Sequence, residues 1–173
     1  LNESGTLVEE LFLEVDVVVR EPVIELSKSF APVVNSDAGD ILTVTVTATN
    51  TGTAAAYNLR VLDDLLDTEM TYVVGSMGGN DPPDNDDLTP DNKHPIFSWD
   101  ITNPKYEITP GTVRSFTFQV QVDSTAQPLE ILDNTIEAAW NSLPSQNAAL
   151  NATGSIGADG TVLGLRNGLL PNA

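Results

Sequence analysis

The chain has 173 residues, with 7 Lys or Arg against 25 Asp or Glu for a formal net charge of −18, and no cysteine. That length suits one sizeable domain with a single core, and the charge excludes nucleic acid and anionic membrane surfaces as partners, since their phosphates would be repelled. The absence of thiols excludes disulfides, thiolate catalysis and cysteine metal sites together, so an exported domain of this kind must hold itself by packing or by some other crosslink.

In chain order, residues 8–20 alternate with period two, placing Leu11, Leu13, Val15, Val17 and Val19 on one face until Glu21-Pro22 breaks the run. A fresh strand follows in VIELSKSF (23–30), then ILTVTVTAT (41–49), with Leu42, Val44, Val46 and Ala48 opposite a row of threonines. YNLRVLD (57–63), FSWDI (97–101), SFTFQVQV (115–122) and ILDNTIEAAW (131–140) read the same way. Turn-rich stretches separate them: NSDAGD (35–40), NTGTAA (50–55), a long GGNDPPDNDDLTPDNKHP (78–95) and TPGT (109–112). Helical periodicity is absent. The expected fold is an all-β, immunoglobulin-like sandwich of antiparallel strands over 22–141. An extra strand segment at 1–21 precedes it, and an irregular arm at 142–173 takes the place of a closing strand. No apolar run approaches a membrane span and no signal-peptide pattern opens the sequence, so direct membrane insertion is not expected.

Three polar residues fall on the wrong faces. Strand parity puts Lys28 with Ile24, Leu26 and Phe30, Asp63 with Leu59, Val61 and Leu65, and Asn134 with Leu132, Ile136, Ala138 and Trp140. Burying such groups costs several kcal/mol unless they meet or react. Desolvation lowers a lysine pKa and raises that of an aspartic acid, so inside a core the pair can exist as neutral amine and protonated acid. A neutral Lys28 amine is a nucleophile for the side-chain carbonyl of Asn134, with Asp63 polarising that carbonyl and shuttling protons as ammonia leaves. The product is an amide between side chains. From pattern alone two other readings stay open: a buried, unreacted ion pair, or ordinary surface residues if a β-bulge flips the parity.

The run from LSKSFAPVVNSDAGDILTVTVTATNTGTAAAYNLRVLDDLLD through TYVVGSM, FSWDI, ITPGTVRSFTFQVQV and LDNTIEAAWNSLP resembles the conserved repeat domain of large bacterial and archaeal surface proteins, the isopeptide-forming fimbrial type. The resemblance covers about residues 15–160, and NTGTAAAYN and DNTIEAAWNSLP carry it most specifically. It implies that Lys28, Asp63 and Asn134 match the family's lysine, acid and asparagine. VLDDLLD departs from the family's single acid followed by Thr-Leu-Pro, which leaves Asp64 as an outward-facing rival to Asp63. The expected role is a structural subunit or repeat of an extracellular, cell-surface filament, assembled head-to-tail with other copies as residues 8–20 complete a neighbour's sandwich.

The alternative is an adhesin that contacts a host or cell-surface ligand through the 78–95 loop. Asp81, Asp84, Asp86, Asp87 and Asp91 there offer oxygen ligands for calcium, though in no EF-hand spacing; otherwise no cofactor is required. Asn2 and Asn151 open glycosylation sequons. His94, the one histidine, stands beside Pro95 in a loop and assembles no catalytic triad, so an enzyme in the usual sense is not expected. Trp99 and Trp140 read as core.

Overall fold

A computed structural model describes residues 14–32, 36–66, 68–88, 91–100, 102–128 and 130–142, and the backbone of 165–167. Its described residues form ten strands and no helix: β1 (Ile24–Ala31), β2 (Ile41–Asn50), β3 (Ala56–Asp64), β4 (Met70–Tyr72), β5 (Asn85–Asp87), β6 (Ile96–Ser98), β7 (Glu107–Ile108), β8 (Val113–Val122), β9 (Thr135–Asn141) and β10 (Leu165–Asn167). One antiparallel sheet runs β1-β2-β8-β4 and the other β10-β9-β3-β6-β5, with β7 paired to the start of β3. The all-β sandwich expected from the alternation is the observed architecture.

The core lies where the period-two rows meet. From one sheet come Val44, Val46, Phe116, Phe118 and Val120, and from the other Leu59, Val61 and Phe97, all fully or almost fully buried. Phe97 packs against Phe118 in a tilted pair with ring centroids 4.6 Å apart, at the packing distance of aromatic pairs. Outward positions on β2 are threonines, which suit a half-buried pleated surface.

Three segments differ from the sequence reading. Residues 14–20 join no strand, and Val15, Val17, Val18 and Val19 there are 71–84% exposed. A strand needs a partner ladder as well as a pattern, and this segment has none within the described chain. The strand expected over 131–140 begins only at Thr135, so Asn134 stands just before β9. Part of the arm expected to be irregular is ordered as β10, which pairs antiparallel with the end of β9. The rest of the arm, residues 1–13, and both sequon asparagines, Asn2 and Asn151, lie outside the described residues.

The start of β1 and the end of β9 meet at one end of the sandwich. Ile24 opens β1 opposite Asn50. The Asn50 side chain donates to Ile108 O at 2.7 Å, Ile108 pairs with Ala56, and the neighbouring Tyr57 pairs with Asn141, the last residue of β9. β1 therefore enters, and β9 leaves, at the same end, and the two strands approach across the sheets.

Candidate functional site

Lys28 sits midway along β1, opposite Val46 of β2, with its side chain turned between the sheets and only 8% exposed. The alternation that buries Ile24 and exposes Glu25, Ser27 and Ser29 leaves it no other direction. Asp63 lies near the end of β3, and its side chain is fully buried. β3 has an irregularity between Tyr57 and Arg60, where Asn58 adopts φ 52°, but its pairing with β9 runs unbroken from Arg60 to Asp64, so the inward row reaching Asp63 is preserved. Lys28 Nζ donates to Asp63 Oδ1 at 2.8 Å and stands 5.5 Å from the Phe30 ring centroid.

Asn134 completes the group. Both of its amide atoms are buried without a partner of hydrogen-bonding geometry, as is Asp63 Oδ2. The amide nevertheless lies against the Asp63 carboxyl closely enough to favour its charged form. The sequence-predicted trio is thus brought together from β1, β3 and the residue just before β9.

Burial dominates the electrostatics. Desolvation lowers the Lys28 pKa, against the opposing pull of Asp63. It raises that of Asp63, an effect opposed by Lys28 and by the Asn134 amide and reinforced by the neighbouring Asp64 charge. Both shifts favour the neutral amine and the protonated acid, the proton distribution that nucleophilic attack requires. Asp64 itself faces outward, its side chain half exposed and its Oδ1 3.2 Å from His94 Nε2, so Asp63 is the acid within reach.

The acidic loop is put together differently. Asp81 pairs with Lys105 at 3.3 Å and Arg114 at 3.8 Å. Asp84 accepts from Asp100 N at 2.8 Å and Asn103 Nδ2 at 2.7 Å. Asp86 accepts from the Tyr72 hydroxyl at 2.7 Å, and Asp91 from Lys93 N at 3.0 Å, while Asp87 is exposed. Their oxygens serve separate protein donors, and among the described residues no three acidic, histidine or cysteine side chains gather to hold a metal ion. Trp99 and Trp140 are core residues, 2% and 5% exposed.

One residue escaped the sequence reading. Asn50 is fully buried. Its Oδ1 accepts from Val23 N at 3.2 Å and Gly52 N at 3.0 Å, and its Nδ2 donates to Ala54 O at 2.8 Å and Ile108 O at 2.7 Å. It continues the inward row Leu42, Val44, Val46, Ala48, so the parity test that exposes Lys28 also marks Asn50.

No family model matches the sequence, and no curated protein matches it. Among solved structures, a 35 kDa C-terminal fragment of the major pilin GBS80 of Streptococcus agalactiae is similar at 13% identity and TM-score 0.46, over 72% of this chain and 51% of that one, so the chain spans about half its length. The T6 backbone pilin of Streptococcus pyogenes is similar at 14% identity and TM-score 0.38, over 69% of this chain and 29% of that one. The chitin-binding domain of Chi18aC from Streptomyces coelicolor is similar at 18% identity and TM-score 0.38, over 67% of this chain and 90% of that one. Likeness at this level joins proteins of unrelated activity and passes none of those activities to this chain.

Proposed function

We propose that the chain is a structural subunit or repeat of an extracellular surface fibre, locked by an amide bond that Lys28 and Asn134 form without an enzyme or cofactor. The observation that carries the reading is that three buried polar atoms without a partner of hydrogen-bonding geometry, Asp63 Oδ2 and both Asn134 amide atoms, gather at the carboxyl that holds the desolvated Lys28. Each orphan costs about 1–3 kcal/mol, and the reaction removes all three. Neutral Lys28 Nζ attacks Asn134 Cγ, protonated Asp63 delivers its proton to Nδ2 and is reprotonated from the attacking nitrogen, and the Cγ–Nδ2 bond breaks as ammonia leaves. Asp63 ends protonated, as it began, and its hydroxyl donates to the new amide carbonyl.

Closing a loop of about 100 residues is worth about 4–5 kcal/mol on the entropy scale used for disulfides. The topology adds a mechanical meaning. Tension between residue 21 and residue 141 passes along β1 to Lys28, through the bond, and from Asn134 along β9, so the chain between those two residues, with β2, β3 and β8, carries none of it. A cysteine-free chain gains by this route the covalent reinforcement that a fibre needs. The four exposed valines at 15–19 support head-to-tail association with other copies through the N-terminal segment.

Intact mass of the denatured chain tests the crosslink. The expected mass is one ammonia below that of the sequence, and the deficit is lost in Lys28→Met and Asn134→Ala. A wild-type chain at full sequence mass, prepared under folding conditions, rules the bond out.

A further inference from the structure

The N-terminal segment leaves the sandwich through a tight joint. The 50–53 turn grips the backbone of residues 21–23, with Thr51 N donating to Val23 O and Thr53 N to Glu21 O, both at 2.8 Å. Gly52 approaches so closely that a Cβ there would stand 2.4 Å from both Glu21 O and Val23 N. Beyond the joint the segment touches its own body with neither face. Val17 and Val18 point opposite ways in an extended chain, and they are 84% and 79% exposed. Four β-branched residues in five positions, with acids at 14 and 16, have the composition of a strand but no sheet.

Among the described residues the sandwich also has an incompletely covered edge. β9 has seven residues, and β10 pairs with only its last three, Ala139, Trp140 and Asn141. Among the described residues nothing pairs with the outer edge of β9 over 135–138. An open edge of this kind is a template for another chain.

We propose that residues 14–20 of a second copy add antiparallel along β9 and displace β10. This inference rests on the fibre reading and names the surface that reading leaves open. The direction follows from β10, which already lies antiparallel on this edge. The register follows from side-chain parity. With Val17 opposite Ala138, Val15 faces Trp140 and Val19 faces Ile136, so the three valines extend the inward row of β9. Val18 then lies outside, opposite Glu137. A slip of one residue would carry Asp16 inward and the three valines into water. A seven-residue ladder replaces the three pairs that the described residues of β10 make, which favours the exchange. The contact is heterologous and does not close on itself, so repetition gives a filament. Each copy carries a formal charge of −18, so association strengthens as added salt screens the repulsion.

The absence of native cysteine makes disulfide trapping clean. A Val18→Cys chain is mixed with a Glu137→Cys chain at physiological salt under mild oxidation. The expected result is a linked heterodimer that is lost when Val17 and Val19 of the first chain are changed to Ser. Trapping that is as efficient with Ser27→Cys, on the exposed face of β1, overturns the β9 acceptor. So does sedimentation of a self-associated chain that gives no Val18–Glu137 crosslink. Either result leaves the fibre reading standing. A chain that sediments as a monomer at high concentration in salt overturns both the acceptor and the head-to-tail assembly.

Discussion

Two lysine–aspartate pairs of nearly equal length sit in opposite surroundings. Lys28 and Asp63 meet at 2.8 Å with side chains 8% and 0% exposed, whereas Lys93 and Asp123 meet at 2.7 Å with 18% and 27% exposed. An ammonium has three donors to satisfy. Lys93 has three oxygens, since Met70 O and Thr68 O accept alongside Asp123. Among the described residues Lys28 has one oxygen and the face of Phe30. The separation of the charges is the same, and what differs is the supply of acceptors and water. Lys93 has an acceptor for each of its donors, whereas burial of Lys28 outweighs its single carboxylate partner and lowers its pKa.

The largest effect expected from breaking this contrast is on stability. Asn134→Ala removes the amide target while leaving β1 and β3 intact, and it is expected to lower unfolding free energy by about 4 kcal/mol, the loop-closure contribution. Thermal unfolding monitored by circular dichroism should fall by roughly 10 °C. An unchanged midpoint would show that the bond contributes nothing to the fold.

The second effect is on rate. Asp63→Asn keeps the shape and a hydrogen-bonding oxygen but removes the proton shuttle, so crosslinking as an unreacted chain first folds, followed by ammonia release, should slow by about 100-fold or more. The wild-type rate should also depend on pH in two directions. On the acid side it falls as Lys28, despite its lowered pKa, takes up a proton and loses its lone pair. On the alkaline side it falls as Asp63, despite its raised pKa, loses the proton it must deliver. A rate that rises steadily with pH would mean that Asp63 has no part as an acid.

The legible part of this molecule was the part governed by a long period-two repeat. Lys28, Asp63 and Asn134 stood out because each interrupts an apolar row on a strand of at least seven residues or at its threshold. β4, β5, β7 and β10 have only two or three residues each, too few for alternation to register. The 8–20 run also alternates, yet residues 14–20 form no strand, because a ladder depends on a partner the sequence pattern does not encode. Asn50 was legible by the same parity and was read only as the start of a turn. Its role depends on backbone groups at 23, 54 and 108 that no local pattern connects.

The joint at residues 21–23 gives the third test. Gly52→Ala drives a methyl group into backbone rather than into a yielding side chain, so overpacking should cost about 1–3 kcal/mol. The damage should be local. Hydrogen exchange at the Thr51 and Thr53 amides should accelerate as their acceptors at Val23 and Glu21 move away. The ammonia deficit should persist, because Lys28 lies four residues inside β1. Unaltered exchange at those two amides would mean the turn does not grip the incoming chain.

Lys93→Met should have the smallest effect and is the control for the comparison. The Lys93–Asp123 pair is partly exposed, so solvent screens its charges and its removal is expected to cost only about 1 kcal/mol. The ammonia deficit should be complete in this variant, and the midpoint should fall by only a few degrees. Lys28→Met, identical as a chemical change, should abolish the deficit and lower the midpoint several times further. If the two variants unfold alike, burial and the missing acceptors around Lys28 have no covalent consequence, and both pairs are ordinary salt bridges differing only in depth.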